Sequence, residues 1–183
     1  MGRLSVAVGF SGKIKSGKTT ISQKLADQFG IKRASFGDYV RSICVSQQLD
    51  IASRDVLQAV GEATINKLGW PKFCASLLEF SEWERNNPIV IDGIRHTEAL
   101  NHLKVLLAPL QLVLVYVDVS QAIQNDRFTS LDGSTSLQTA MLHSTERDVE
   151  SSLRDAADLV VSGICEVDDT VSEINEFLSE FVL

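Results

Sequence analysis

The segment Gly12-Lys13-Ile14-Lys15-Ser16-Gly17-Lys18-Thr19 satisfies the pattern G-x-x-x-x-G-K-[S/T] at every fixed position. These residue types suit one task, the wrapping of backbone N–H groups around phosphate oxygens. Gly12 and Gly17 can adopt angles that a Cβ forbids, so successive N–H groups can turn to one side. A helix opening at the end of the loop, through Thr19 and Thr20, adds unpaired N–H groups and partial positive charge. Lys18 is then placed to bridge the β- and γ-phosphates of ATP, and the Thr19 hydroxyl to ligate Mg²⁺. Lys13, Ile14, Lys15 and Ser16 supply the rest of the cradle. A strand-like stretch, Leu4 to Phe10, precedes the loop and a helical pattern follows it, the order that such a motif requires.

Three further groups of residues could act on what the loop holds. Ile89-Val90-Ile91 is a buried-strand pattern that ends in Asp92-Gly93-Ile94-Arg95. A carboxylate at the C-terminal end of a strand beside the loop is placed to hold Mg²⁺ through water. Asp38 and Arg41 follow a short strand candidate, Arg33 to Phe36, and Arg127 follows Asp126 after another strand. Each has a plainer alternative: a tight turn at Asp92-Gly93, and solvated arginines on helix faces. No N/T-K-x-D segment that would read guanine is present, which argues against a GTPase.

These residues must be positioned by alternating elements. Thr19 to Phe29 carries apolar residues at helical spacing and closes on Gly30. The spacing predicts further helices over 38–49, 54–68, 73–84, 98–106, 121–128, 145–157 and 169–181. Strands are predicted over 33–36, 89–91, 112–117 and 159–161. Gly69-Trp70-Pro71 reads as a break between helices, and Thr129 to Thr139 as a polar loop. Strands alternating with helices imply βαβ units, a parallel sheet and right-handed crossovers. The 183 residues fit one domain.

A net charge of −7 disfavours a broad basic face, so extended nucleic acid is not an expected partner, while a local basic pocket for a small anion remains compatible. No apolar run reaches the length of a membrane-spanning helix, and no signal peptide is evident, so a cytoplasmic protein is expected. Cys44, Cys74 and Cys165 are read as reduced core residues, and no Cys/His spacing suggests zinc.

Ser35-Phe36-Gly37-Asp38-Tyr39-Val40-Arg41 resembles the segment after the second strand of adenylate-kinase-type nucleoside monophosphate kinases. Ile89 to Arg95 resembles the same family's strand-end Asp and Arg, without the Pro that commonly precedes that Arg. Val117-Asp118-Val119-Ser120 to Asp126-Arg127 is similar to its strand leading into the lid. The resemblance implies a P-loop NTPase three-layer α/β fold, with a five-stranded parallel sheet, helices on both faces and a short lid over about 128–147. It implies Mg·ATP-dependent phosphoryl transfer to a small phosphorylated acceptor such as a nucleoside or deoxynucleoside monophosphate. Arg41 and Arg95 would grip the acceptor phosphate, and Arg127 would contact the donor and the transferring group. Asp38 would either orient the acceptor or cap its helix. Gln58 would either read a base or amide on the acceptor or face solvent, and Trp70 and Trp83 are expected to pack acceptor-side helices.

Leu131 occupies the place of a further lid arginine, which leaves Arg147 and Arg154 as candidates. The lid length and the Asp-Gly-Ile-Arg form also resemble dephospho-coenzyme A kinases and small phage-type deoxynucleotide kinases. A hydroxyl-phosphorylating enzyme of the former kind is therefore one alternative. A nucleotide-binding regulatory ATPase with a protein partner is another, favoured by Leu131.

Overall fold

The computed structural model describes residues 2–129 and 152–183. Five parallel strands form one sheet: β1 (Val6–Gly12), β2 (Lys32–Ser35), β3 (Ile89–Asp92), β4 (Gln111–Asp118) and β5 (Leu159–Ser162). Their spatial order is β2-β3-β1-β4-β5. The chain therefore steps outward from β1 to β2, returns to β3, and crosses β1 to reach β4. That reversal opens a crevice at the strands' C-terminal ends, where ligands of open α/β sheets bind. Register places Ser35 beside Asp92 and Asp92 beside Phe10, while Gly12 lies beside Val117.

Seven helices are described: α1 (Lys18–Phe29), α2 (Phe36–Ser46), α3 (Arg54–Leu68), α4 (Trp70–Phe80), α5 (Thr97–Leu107), α6 (Gln121–Thr129) and α7 (Val167–Leu178). Side chains alternate across each strand, so the sheet feeds two cores. Val6, Val8, Phe10, Val90, Val113 and Val115 pack against Ile21 and Leu25 of α1 and Val171 and Ile174 of α7. Ala7, Ile89, Ile91, Leu112 and Leu114 pack against Leu77 of α4 and Leu100, Leu103 and Leu107 of α5. The expected three-layer α/β fold is present. Among the described residues no helix is long and apolar enough to cross a membrane.

Several boundaries differ from the sequence reading for identifiable reasons. Helix α4 begins at Trp70 rather than after the Gly-Trp-Pro break, because Pro71 lies in its first turn, where no N–H is needed. Helix α2 begins at Phe36, since the Ser35 hydroxyl accepts the Asp38 N–H at 3.2 Å; Ser35, not Asp38, is the cap. Helix α7 ends at Leu178, and Ser179–Phe181 continues as a 3₁₀ turn. Cys44 and Cys74 are buried, but Cys165 is exposed because it lies in the turn beyond β5. Burial pushes the Cys74 thiol up to about 12. Of the expected lid, about 128–147, all but the last two residues of α6 lie outside the described residues, Leu131 and Arg147 among them.

Candidate active site

The loop between β1 and α1 departs from ordinary backbone at three points. Gly12, Lys15 and Gly17 have φ of 144°, 59° and 91°. At Gly12 a Cβ would sit 2.4 Å from the Val117 carbonyl oxygen, so the glycine is required by the close approach of β4 as well as by its angle. The loop's carbonyls are held from outside. Gln124 of α6 donates from Nε2 to the Ile14 carbonyl at 3.0 Å, and Arg127 donates to the Lys15 carbonyl at 3.0 Å. Fixing consecutive carbonyls outward favours N–H groups that face inward, the geometry of an anion nest. Lys18 is buried, and its Nζ donates to the Lys13 carbonyl at 3.0 Å.

Arg127 also donates to the Gly163 carbonyl at 2.9 Å, joining the loop to the turn after β5. Gly163 permits that approach, because a Cβ there would lie 2.3 Å from the Ser16 carbonyl oxygen. The described guanidinium contacts of Arg127 are thus backbone carbonyls of the Gly12–Thr19 loop and of the turn beside it. Gln124 and Gly163 were not singled out from the sequence. Their partners are distant in the chain, and only the loop's need for outward carbonyl acceptors could have pointed to them.

A cleft of about 370 Å³ opens directly from Lys18 and Thr19. Asp92, Gly93, Arg95 and His96 come from the end of β3 and the turn into α5, and Ser35, Asp38 and Arg41 from the β2–α2 corner. Arg54, Gln58 and Glu62 line it from α3 at a spacing of four residues, which puts them on one helix face. Trp70 and Phe73 of α4 form an apolar wall. The Trp70 ring lies 4.8 Å from the His96 ring and 6.1 Å from the Phe73 ring. Trp70 and Trp83 both pack against the core beneath α4, as expected; Trp70 also borders the cleft, and Trp83 donates to the Asn87 carbonyl at 2.7 Å. Helix α3 contains no buried residue. Its inner face serves the cleft rather than a core.

Among the predicted residues, Lys18, Thr19, Asp38, Arg41, Gln58, Asp92 and Arg95 all border this cleft. Thr20 is exposed one position along α1. Arg154, a lid candidate, instead lies 3.4 Å from Asp118. Arg54, His96 and Arg33 are additions. Arg33 on β2 is nearly buried and donates to three elements: Ser22 Oγ at 3.1 Å, Asp38 at 3.2 Å and Asp92 Oδ2 at 2.5 Å. Arg41 donates to the other Asp38 oxygen at 3.1 Å.

The residues beside the loop fit a hard divalent cation. Asp92 is buried, and its Oδ1 has no hydrogen-bond partner among the described residues. A buried carboxylate oxygen without a partner is costly unless a donor or cation completes it. The Thr19 hydroxyl borders the same cleft and is also an oxygen donor, as Mg²⁺ prefers.

A sheet of this order, with a Gly-rich loop leading from its central strand into α1, defines the P-loop class of α/β nucleotide-binding proteins. The AAA_17 family model, described as an AAA domain, matches residues 9–136, and the chain belongs to that family. A gluconokinase from Sinorhizobium meliloti 1021 superposes with a TM-score of 0.63 and 16% identity, over 98% of this chain and 95% of that one. A shikimate kinase from Aquifex aeolicus vf5 gives 0.61 and 22% identity, over 95% and 96% of the two chains. A putative kinase from Chloroflexus aurantiacus j-10-fl gives 0.62 and 17% identity, over 98% and 99%. At these identities the likeness is one of fold. A comparison with curated protein sequences finds no match.

Proposed function

We propose that the chain is a single-domain ATP-dependent phosphotransferase whose acceptor is a small phosphorylated molecule, a nucleoside or deoxynucleoside monophosphate. The observation that carries this reading is the cleft itself. It begins at the γ-phosphate end of the loop, marked by Lys18 and Thr19, and brings Arg41, Arg54 and Arg95 together with an aromatic wall. Guanidinium forks match phosphate oxygens, and the Trp70 and Phe73 rings offer a flat apolar surface to a base. The structural neighbours named as kinases support phosphoryl transfer of this kind.

In the reaction an acceptor phosphate oxygen attacks the γ-phosphorus of ATP, the bond from that phosphorus to the β-bridging oxygen breaks, and ADP leaves. Thr19 and Asp92 would hold Mg²⁺, which when bound neutralises charge on the β- and γ-phosphates. The loop N–H groups and Lys18 orient the donor. Arg41 and Arg95 hold the acceptor and offset its negative charge, so that two anions can meet. Gln58 and Arg54 face the part of the acceptor remote from the reacting atoms. Arg127 supports the donor side by holding the loop's backbone.

A hydroxyl acceptor is the second reading, because the solved neighbours include proteins named gluconokinase and shikimate kinase. The two are separated by following ADP formation from Mg·ATP with ribo- and deoxyribonucleoside monophosphates, dephospho-coenzyme A, gluconate and shikimate, with Lys18→Ala as control. Stimulation by a nucleoside monophosphate is expected. Stimulation only by a hydroxyl compound would transfer the function to the second reading, and ATP binding without response to any acceptor would point to a regulatory ATPase.

A further inference from the structure

Arg33 stands behind the site and has no part in the phosphoryl-transfer scheme. Arg33 sits in β2, two residues before Ser35, and strand alternation turns it toward α1. Its guanidinium is spent on three elements at once: Nε on Ser22 of α1, one terminal nitrogen on Asp38 of α2, and the other on Asp92 at the end of β3. Ser22 Oγ in turn donates to the Thr19 carbonyl at 3.0 Å. Asp92 and, through Ser22, the backbone of the α1 turn that carries Thr19 are therefore tied to the same planar fork.

We propose that Arg33 is a positioning residue for this site: it locks Oδ2 of Asp92 so that Oδ1 is presented to the metal of Mg·ATP, and through Asp38 it links that carboxylate to the acceptor-side Arg41. The inference rests on the proposed use of Mg·ATP. Holding Oδ2 on the guanidinium restrains the rotation of the carboxylate, and its second oxygen is the one left buried without a partner among the described residues. The side chains of Arg33 and Asp92 are 12% and 4% exposed, so solvent screens the pair little and water cannot easily replace it. The alternation Arg41–Asp38–Arg33–Asp92 runs without a break from the acceptor side of the cleft to the metal side. Partners of this kind behind a metal ligand commonly change metal affinity about 10–100-fold when removed.

The test is equilibrium binding of ATP to the full chain without acceptor, titrated with Mg²⁺ from zero, for the wild type, Arg33→Met and Arg33→Lys. Arg33→Met is expected to bind metal-free ATP like the wild type but to need about 10-fold more Mg²⁺ to reach its full affinity. Arg33→Lys keeps a counter-charge for Asp92 but not the three-way fork, so it should shift the midpoint in the same direction by less. Should Arg33→Met fail to fold, Arg33→Lys decides. A folded variant with the wild-type Mg²⁺ midpoint overturns the inference. So does an equal loss of metal-free ATP binding, which would mark general damage to the loop, or wild-type binding that ignores Mg²⁺. Mg²⁺-dependent binding with the expected shifts, but without acceptor-stimulated ADP formation, would sink the proposed function and leave the role of Arg33 standing.

Discussion

The proposed donor and acceptor sides of the cleft are built by different means. On the donor side, eight consecutive residues form the loop, and backbone groups make most of the site. Its angles at Gly12, Lys15 and Gly17 and its carbonyl contacts from Gln124 and Arg127 leave little freedom. On the acceptor side, side chains from β2, α2, α3, α4, β3 and α5 converge, and α3 buries no residue at all. Backbone recognition of phosphate tolerates many side chains but few shifts of the chain. Side-chain recognition has the opposite tolerance, so acceptor choice can change while the fold and the ATP site persist.

Substitutions that probe this contrast should differ in kind as well as size. Lys18→Ala should lower acceptor-stimulated ADP formation about 10²–10³-fold in steady-state kinetics, with little change in thermal midpoint, since it removes charge compensation rather than packing. Gly163→Ala would place a Cβ 2.3 Å from the Ser16 carbonyl oxygen. We expect it to destabilise the chain by about 2–3 kcal/mol in chemical denaturation and to weaken ATP binding in parallel. An unaltered ATP affinity there would break the claim that the donor side depends on backbone placement.

Acceptor-side changes should be gentler and selective. Arg41→Ala should raise the acceptor KM about 10-fold, about 1.4 kcal/mol, while leaving the KM for ATP unchanged. Gln58→Ala should alter the ranking of acceptors by no more than about 1 kcal/mol, again without loss of stability, because its helix contributes no buried side chain. A large stability loss from Gln58→Ala would contradict the view that α3 serves the cleft.

The smallest functional effect is expected from the cysteines. At neutral pH a thiol reagent should label Cys165 in the folded chain and reach Cys44 and Cys74 only after unfolding. The Cys74 thiol has its folded value raised to about 12 from an ordinary 9.0, so the fold favours its neutral form. The stability from that preference is complete below about pH 9 and is lost as pH rises toward 12. Denaturation midpoints that fall over this range in the wild type, and fall less in Cys74→Ala, would bear this out.

The same contrast explains what the sequence revealed. Gly12 to Thr19 is contiguous, and its pattern follows from local backbone needs, so the loop was visible without any fold. Asp92 and Arg95 were visible because they end an Ile-Val-Ile run, and the alternation of elements implied the parallel sheet. Strand order was not legible, since it depends on which apolar strands meet at long range. Arg33 was missed for that reason: its partners lie 11, 5 and 59 residues away. Its one local signal was a charged residue on the same strand face as Ser35. Arg54 shares a helix stripe with Gln58 and Glu62, but the stripe gains meaning only once α4 and β3 close the other side of the cleft. Asp38 was read as either an acceptor contact or the helix cap, and the cap proved to be Ser35, whose hydroxyl accepts the Asp38 N–H.

The most direct test of phosphoryl transfer to a phosphorylated acceptor uses ATP labelled in its γ-phosphate, incubated with Mg²⁺ and a panel of nucleoside monophosphates. Label appearing in a nucleoside diphosphate, and absent with Lys18→Ala, is the predicted result. Label recovered only as inorganic phosphate, whatever the acceptor, would contradict it.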